Sequence, residues 1–206
     1  MTILALDTSG TSASAAIINE YIIMAEFSVT LASLKGEGRK THSETIMPMI
    51  NQLFEVSGIS LNSIDRIACT CGPGSFTGLR IGAAVAKGLA FATSKPLIAV
   101  PTLDAMAYNI ECEFVVPMMD ARRGQVYSAI YQNGKRISDY MALPKEELLT
   151  MVDSAKTAFV ESAVRASSVA AIALTMQDAH EADFSLMYIR KPQAEREREE
   201  RNAKNN

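Results

Sequence analysis

The chain has 206 residues, 48% hydrophobic and 21% charged, with 20 basic against 23 acidic groups and a net charge of −3. That composition excludes disorder throughout, and the length allows one large domain or two small ones with a core that needs no staple. The slightly acidic balance speaks against a dedicated nucleic-acid binder, and no run of about 20 apolar residues offers a membrane span.

Thr2 to Leu6 is a short apolar run ending at Asp7, the pattern of a buried strand. Thr8 to Ser12 reads as a turn, and Ala13 to Ile18 and Ile22 to Leu31 as two strands joined at Asn19-Glu20. Ser33 to Lys40 is polar and is expected to be a mobile loop. Thr41 and Glu44 have capping-box spacing, Ile46, Ile50, Leu53 and Phe54 keep a helical period, and Gly58 is placed to end that helix. A kink is expected at Pro48. Arg66 to Cys71 reads as a strand, Gly72 to Gly78 as a loop, Phe76 to Thr93 as a long helix, Leu97 to Val100 as a strand and Thr102 to Ile110 as a helix.

The order then restarts. Phe114 to Met119 ends at Asp120, Gln125 to Tyr131 alternates, Asn133-Gly134 marks a hairpin, Arg136 to Leu143 pairs back and Pro144 opens a helix. Strand-strand-strand-helix therefore occurs twice, which implies mixed sheets covered by helices. After Met151, Ala163 to Met176 reads as a helix, Phe184 to Ile189 as a last strand, and Glu195 to Arg201 as a solvated, helical charge run. The chain divides into a lobe over 1–110, a second over 111–190 and a charged tail over 191–206. The second lobe is short of its repeat between Met151 and Ala163.

Cys69 and Cys71 are two apart on a strand and face opposite ways, Cys112 stands alone, and the odd count points to a reducing cytoplasm. The N-terminus lacks the basic start of a signal peptide. His42 and His180 have no metal-ligand spacing.

Three features could carry chemistry. Gly72-Pro73-Gly74-Ser75-Phe76-Thr77-Gly78-Leu79-Arg80-Ile81-Gly82 follows a strand and opens a helix, where backbone N–H groups hold anions. It matches no dinucleotide, P-loop or nucleophile-elbow spacing, and it reads either as an anion cradle or as a tight turn that packs strand on helix. Gly78, Gly82 and Ala86, then Ala84, Gly88 and Ala92, form two small-residue stripes that serve either inner packing or a subunit interface. Asp7 and Asp120 each end the first strand of their half, where an aspartate either positions a metal-bound water or phosphate or caps a turn.

Ile3 to Ser9, His42-Ser43-Glu44, Gly72 to Gly82 with Ala86-Lys87-Gly88, Met119-Asp120-Ala121-Arg122 and Tyr188-Ile189-Arg190 together resemble the TsaB family, also called YeaZ. The resemblance implies an α/β, duplicated actin-like ATPase (ribonuclease H-like) fold with mixed sheets flanked by helices. It implies a cytoplasmic, non-catalytic scaffold in the making of threonylcarbamoyladenosine beside the anticodon of tRNAs reading codons that begin with A. In that system the paralogue TsaD performs the transfer, TsaC supplies the donor and TsaE is an accessory ATPase.

The catalytic paralogue carries a metal-binding His-x-x-x-His where this chain has Thr102 and Met106, and neither side chain replaces an imidazole. The ATPase pattern wants glycine two residues after each aspartate, where this chain has Ser9 and Arg122. The expectation is therefore no catalytic residue, no metal ligand and no cofactor of its own, with ATP and metal on partner subunits. Asp7, Thr8, Ser9, Gly72, Gly74, Ser75 and Asp120 form the vestigial nucleotide-binding set. The expected partner is TsaD, with TsaE and TsaC in the pathway, tRNA reached through the complex, and a homodimer when alone. Its interface is expected on Ile46, Met49, Ile50 and Leu53 with Gly78, Ile81, Gly82 and Val85, so that Gly82→Leu abolishes pairing and leaves the monomer folded. The rival readings are an independent actin-fold ATPase or kinase using Asp7 and Asp120, and a glycoprotease-like metallopeptidase.

Overall fold

The computed structural model describes residues 1–20, 22–31, 40–178 and 180–190. β1 (Thr2–Asp7), β2 (Ser12–Asn19) and β3 (Ile22–Thr30) are antiparallel neighbours. β4 (Arg66–Gly72) and β5 (Leu97–Pro101) add in parallel on the far side of β1, giving the order β3-β2-β1-β4-β5. Strand β1 is buried on both faces, which is why its sequence is continuously apolar. Leu4 and Leu6 face a core closed by α1 (His42–Ser57) and α2 (Phe76–Thr93), and Ile3 and Ala5 face the opposite core with α3 (Thr102–Ala107).

Helix α1 starts where the capping pair predicts. The Thr41 N–H donates to the Glu44 carboxylate at 2.7 Å, and Gly58, at φ 67, closes the other end by donating to the Phe54 carbonyl at 3.1 Å. It runs as one helix through Pro48.

The second sheet repeats the plan. β6 (Phe114–Arg122) pairs with β7 (Gln125–Ser128) and β8 (Tyr131–Gln132), with a shift between Asp120 and Arg122 but one register from Met118 opposite Ser128 to Val115 opposite Tyr131, so β7 and β8 are halves of one strand. β9 (Lys135–Arg136) and β10 (Met141–Pro144) form the third strand in two pieces. Asn133 and Gly134, at φ 48 and 75, make the turn before it. After α4 (Lys145–Thr150), β11 (Thr157–Val160) lies parallel to β6 as β4 lies beside β1. The outer, second, first and fourth strands of the two halves correspond, which is the duplicated ribonuclease H-like, actin-like architecture.

The last helix, α5 (Ala166–Thr175), returns to the first sheet. Ser14 Oγ accepts the Ala166 N–H at 2.7 Å, and Glu26 accepts the Ser167 N–H at 2.8 Å while pairing with Arg165 at 2.6 Å. At its far end Arg66 donates to the Ala173 and Met176 carbonyls at 3.0 and 2.9 Å. The 111–190 lobe expected from the sequence therefore lends its last helix to the first half.

Three local expectations change. The helix expected over Thr102 to Ile110 ends at Ala107. Phe184 to Ile189 forms no strand: the Met187 N–H donates to the Cys71 carbonyl at 2.7 Å, and Phe184 is sunk in the first core. Strand β11 lies between Met151 and Ala163, the stretch over which the second lobe is short of its repeat. Residues 33–39 of the expected loop and the Glu195 to Arg201 run lie outside the described residues. Among the described residues no helix is long and apolar enough to cross a membrane.

Candidate functional site

Of the two strand ends, the one at Asp7 comes together with the glycine loop, through Thr8 and Ser9. Asp7 is 1% exposed, and its Oδ1 accepts the Ser9 N–H at 3.1 Å and the Thr70 hydroxyl at 2.7 Å. Burial pushes its carboxyl above the ordinary value, and the hydrogen bonds from Ser9 and Thr70 pull back against that rise. Asp120 repeats the turn geometry, its Oδ1 accepting the Arg122 N–H at 2.7 Å, but on an exposed hairpin.

The glycine loop is filled by the chain itself. A Cβ on Gly74 would run into the Ser9 backbone, one on Gly78 into the Thr8 carbonyl, and one on Gly82 into the Thr8 hydroxyl. The Thr8 hydroxyl donates to the Gly78 carbonyl at 2.7 Å, and the Ser75 N–H donates to the Ser9 carbonyl at 2.6 Å. Ser75 caps α2 by accepting the Gly78 N–H at 3.2 Å. Of the two readings of this loop, the tight turn that packs strand on helix is the one realised. The donors at the start of α2 that an anion would use are in part spent on Ser9 and Ser75, so these residues do not fit a bound nucleotide phosphate.

Gly72, at φ 119, is glycine for a different reason. A Cβ there would strike the Met187 carbonyl, because the segment 184–190 crosses the end of β4. That segment ties the halves together: Phe184 enters the first core, Tyr188 stacks on Phe76 with centroids 5.1 Å apart, and Arg190 donates to the Ala121 carbonyl at 2.9 Å.

Thr102 is 0% and Met106 7% exposed, and Met106 sits in the second apolar core, so the positions where two imidazoles would stand are packed. Among the described residues no three His, Cys, Asp or Glu side chains converge. His42 reaches the Ser12 carbonyl at 3.3 Å, and His180 Nδ1 accepts the Ala182 N–H at 3.2 Å, so the two histidines serve separate local contacts. The chain does not fit a resident metal at these positions.

The expected partner interface is corrected. Ile46, Ile50 and Leu53 are at most 1% exposed and Met49 is 6% exposed, all within the first core. Gly78 and Gly82 are buried against Thr8, and Ile81 and Val85 are half-buried against the same core. The apolar period marks the face these helices turn to their own sheet. Gly82→Leu would break the fold at Thr8 rather than spare the monomer.

Sequence reasoning missed a second joint between the halves. Asp104 of α3 accepts from the Tyr131 hydroxyl and, at 2.9 Å, from the Tyr140 hydroxyl, both on the second sheet or its edge. Burial and the Asp104 charge push both phenols up, and burial pushes the Cys71 thiol up to about 11. The signal available was a pair of tyrosines flanking the Asn133-Gly134 turn, which names no partner.

Residues 36–186 match the family model described as TsaD, tRNA N6-adenosine threonylcarbamoyltransferase. The chain is 37% identical over 144 residues to a Haemophilus influenzae protein named tRNA threonylcarbamoyladenosine biosynthesis protein TsaB, covering 68% of this chain and 58% of that one. An Escherichia coli protein of the same name is 38% identical over 136 residues, covering 64% and 55%. The match thus spans little more than half the length of these curated relatives. The solved structure titled YeaZ from Pseudomonas aeruginosa superposes with a TM-score of 0.76 at 26% identity, over 91% of this chain and 99% of that one. With the duplicated fold, the two aspartate turns and the glycine loop in place, the chain belongs to the TsaD family of threonylcarbamoyladenosine proteins, among relatives named TsaB and YeaZ.

Proposed function

We propose that the chain is a non-catalytic scaffold that pairs with a TsaD-type subunit for threonylcarbamoyl transfer to the adenosine beside the anticodon of tRNAs reading codons that begin with A. The observation that carries this reading is the burial of Thr102 and Met106 where the catalytic paralogue is expected to hold metal. A hydroxyl and a thioether offer no substitute for two imidazoles. The sealing of Gly74, Gly78 and Gly82 by Thr8 and Ser9 supports it, since a nucleotide phosphate would need that space. On this reading ATP and metal belong to partner subunits, TsaC supplies the donor, TsaE assists, and the work is cytoplasmic.

The pairing surface that remains is the outward face of α2, at Thr77, Ala84, Gly88 and Phe91, with Met47 exposed on α1. Phe91 is 76% and Met47 39% exposed, and a Cβ on Gly88 would meet nothing within 4 Å. Small residues beside an exposed aromatic suit close helix-to-helix docking. A second copy would use the same face in the partner's absence.

Co-elution with the cognate TsaD tests this. The wild-type chain is expected to co-elute, and Gly88→Arg with Phe91→Glu is expected to abolish it at an unchanged melting temperature. A wild-type chain that ignores TsaD overturns the reading. So does one that hydrolyses magnesium-ATP alone and loses that turnover in Asp7→Ala.

A further inference from the structure

The segment 184–190 and the second aspartate turn meet on an exposed surface that borders the α2 pairing face at Arg80. Arg190, bonded to the Ala121 carbonyl at 2.9 Å, stands against the hairpin whose tip carries Arg122 and Arg123. Both tip arginines hold left-handed backbone, at φ 64 and 57, a conformation that costs a residue with a Cβ. Two residues before Arg190, Tyr188 is 41% exposed and packs on Phe76. Arg80 lies 3.7 Å over the Phe76 ring, with its Nε 3.4 Å from the Tyr188 hydroxyl. Arg80, Arg190 and Arg122 thus line one surface, with two aromatic rings among them.

Among the described residues, Arg80, Arg122 and Arg190 pair with no carboxylate, whereas Arg66 and Arg165 pair with Asp178 and Glu26. Asp120 turns its Oδ1 back to the Arg122 backbone. A guanidinium stacked on a ring is held flat with donors left in its plane, the geometry that grips phosphate oxygens. An exposed ring beside spaced cations is the arrangement that stacks an unpaired base while the backbone is held.

We propose that this surface contacts the phosphates of single-stranded or looped RNA, with Tyr188 offering a stacking face for one base. The proposal rests on the tRNA reading above and moves part of RNA binding onto this chain rather than leaving it to a partner. The net charge of −3 does not oppose it, because a local cation cluster sets the contact whatever the total.

The test is fluorescence anisotropy of a labelled tRNA anticodon stem-loop with the full chain, alone and with cognate TsaD, between 50 and 200 mM KCl. Wild type is expected to bind with affinity that falls with salt. Arg80→Ala and Arg122→Ala combined are expected to weaken binding severalfold and to flatten the log–log salt slope by about 1.4, at roughly 0.7 per single-strand phosphate contact. Tyr188→Leu is expected to weaken binding severalfold with the slope unchanged. Both variants should keep the wild-type melt. A double variant with wild-type affinity and slope overturns the proposal, as does absence of salt-dependent binding in both arms or equal competition by polyglutamate. Failure of the RNA arm with co-elution intact sinks this proposal alone, whereas loss of wild-type co-elution sinks the earlier reading.

Discussion

Asp7 and Asp120 make the same bond, a carboxylate oxygen accepting the N–H two residues on, and live in opposite surroundings. The first is sealed under the glycine loop, with Thr70 completing its hydrogen bonds, while the second sits on an exposed hairpin tipped by arginines. The difference teaches that duplication fixes a turn through its strand end and its side-chain bond, and that the packing partner decides what the turn becomes. The first half supplies a helix whose glycines admit Thr8 and Ser9. The corresponding space in the second half is bordered by Arg190 and the 184–190 segment.

Two glycines break this comparison most sharply. Gly78→Ala puts a methyl into the Thr8 carbonyl, where backbone faces backbone and neither side can turn away. It is expected to cost about 3 kcal/mol, the upper end of ordinary overpacking. Gly124→Ala, at the second turn with φ 72 and open space around it, pays only for its left-handed backbone, about 1 kcal/mol. Urea melts of the two variants measure both, and equal losses would mean that the first turn is not sealed.

The joint between the halves gives the next effect. Asp104→Ala leaves the hydroxyl of Tyr131, itself 4% exposed, without its acceptor, and frees Tyr140 from the same carboxylate. The cost is expected near 2 kcal/mol, the desolvation of a buried donor. Tyr131→Phe, which removes the donor instead, is expected to lose less. If both variants melt like wild type, the halves are held by the 184–190 segment and apolar contact alone.

What was legible in the sequence was local. Thr41 with Glu44, Gly58, and the Asn133-Gly134 turn each act within a few residues, and each is found as read. The twofold strand order was legible because Asp7 and Asp120 punctuate it. The partner of a buried face was not: the period of Ile46, Ile50 and Leu53 announces burial without saying whether the chain's own sheet or another subunit provides it. Thr8 meets Gly78 across 70 residues of chain, a distance over which spacing carries no signal. Strand β11 has four residues, too few to show a period.

The smallest expected effect separates the two aspartates by charge rather than by space. Because the Asp7 carboxyl is raised in the folded chain, the native state holds that proton to higher pH than the unfolded one does. Wild-type stability should therefore fall as pH rises from about 3.9, the ordinary aspartate value, through the raised native value, and then level off. Asp7→Asn keeps an oxygen for Thr70 and Ser9 and carries no charge, so it lacks that fall. The difference between the two melts is expected to drift in the variant's favour with rising pH. Asp120→Asn, at an exposed side chain, is expected to stay within about 0.5 kcal/mol of wild type. Chemical denaturation between pH 4 and 8 measures all three, and an Asp7→Asn melt that tracks wild type across the range would mean that burial does not govern the first turn.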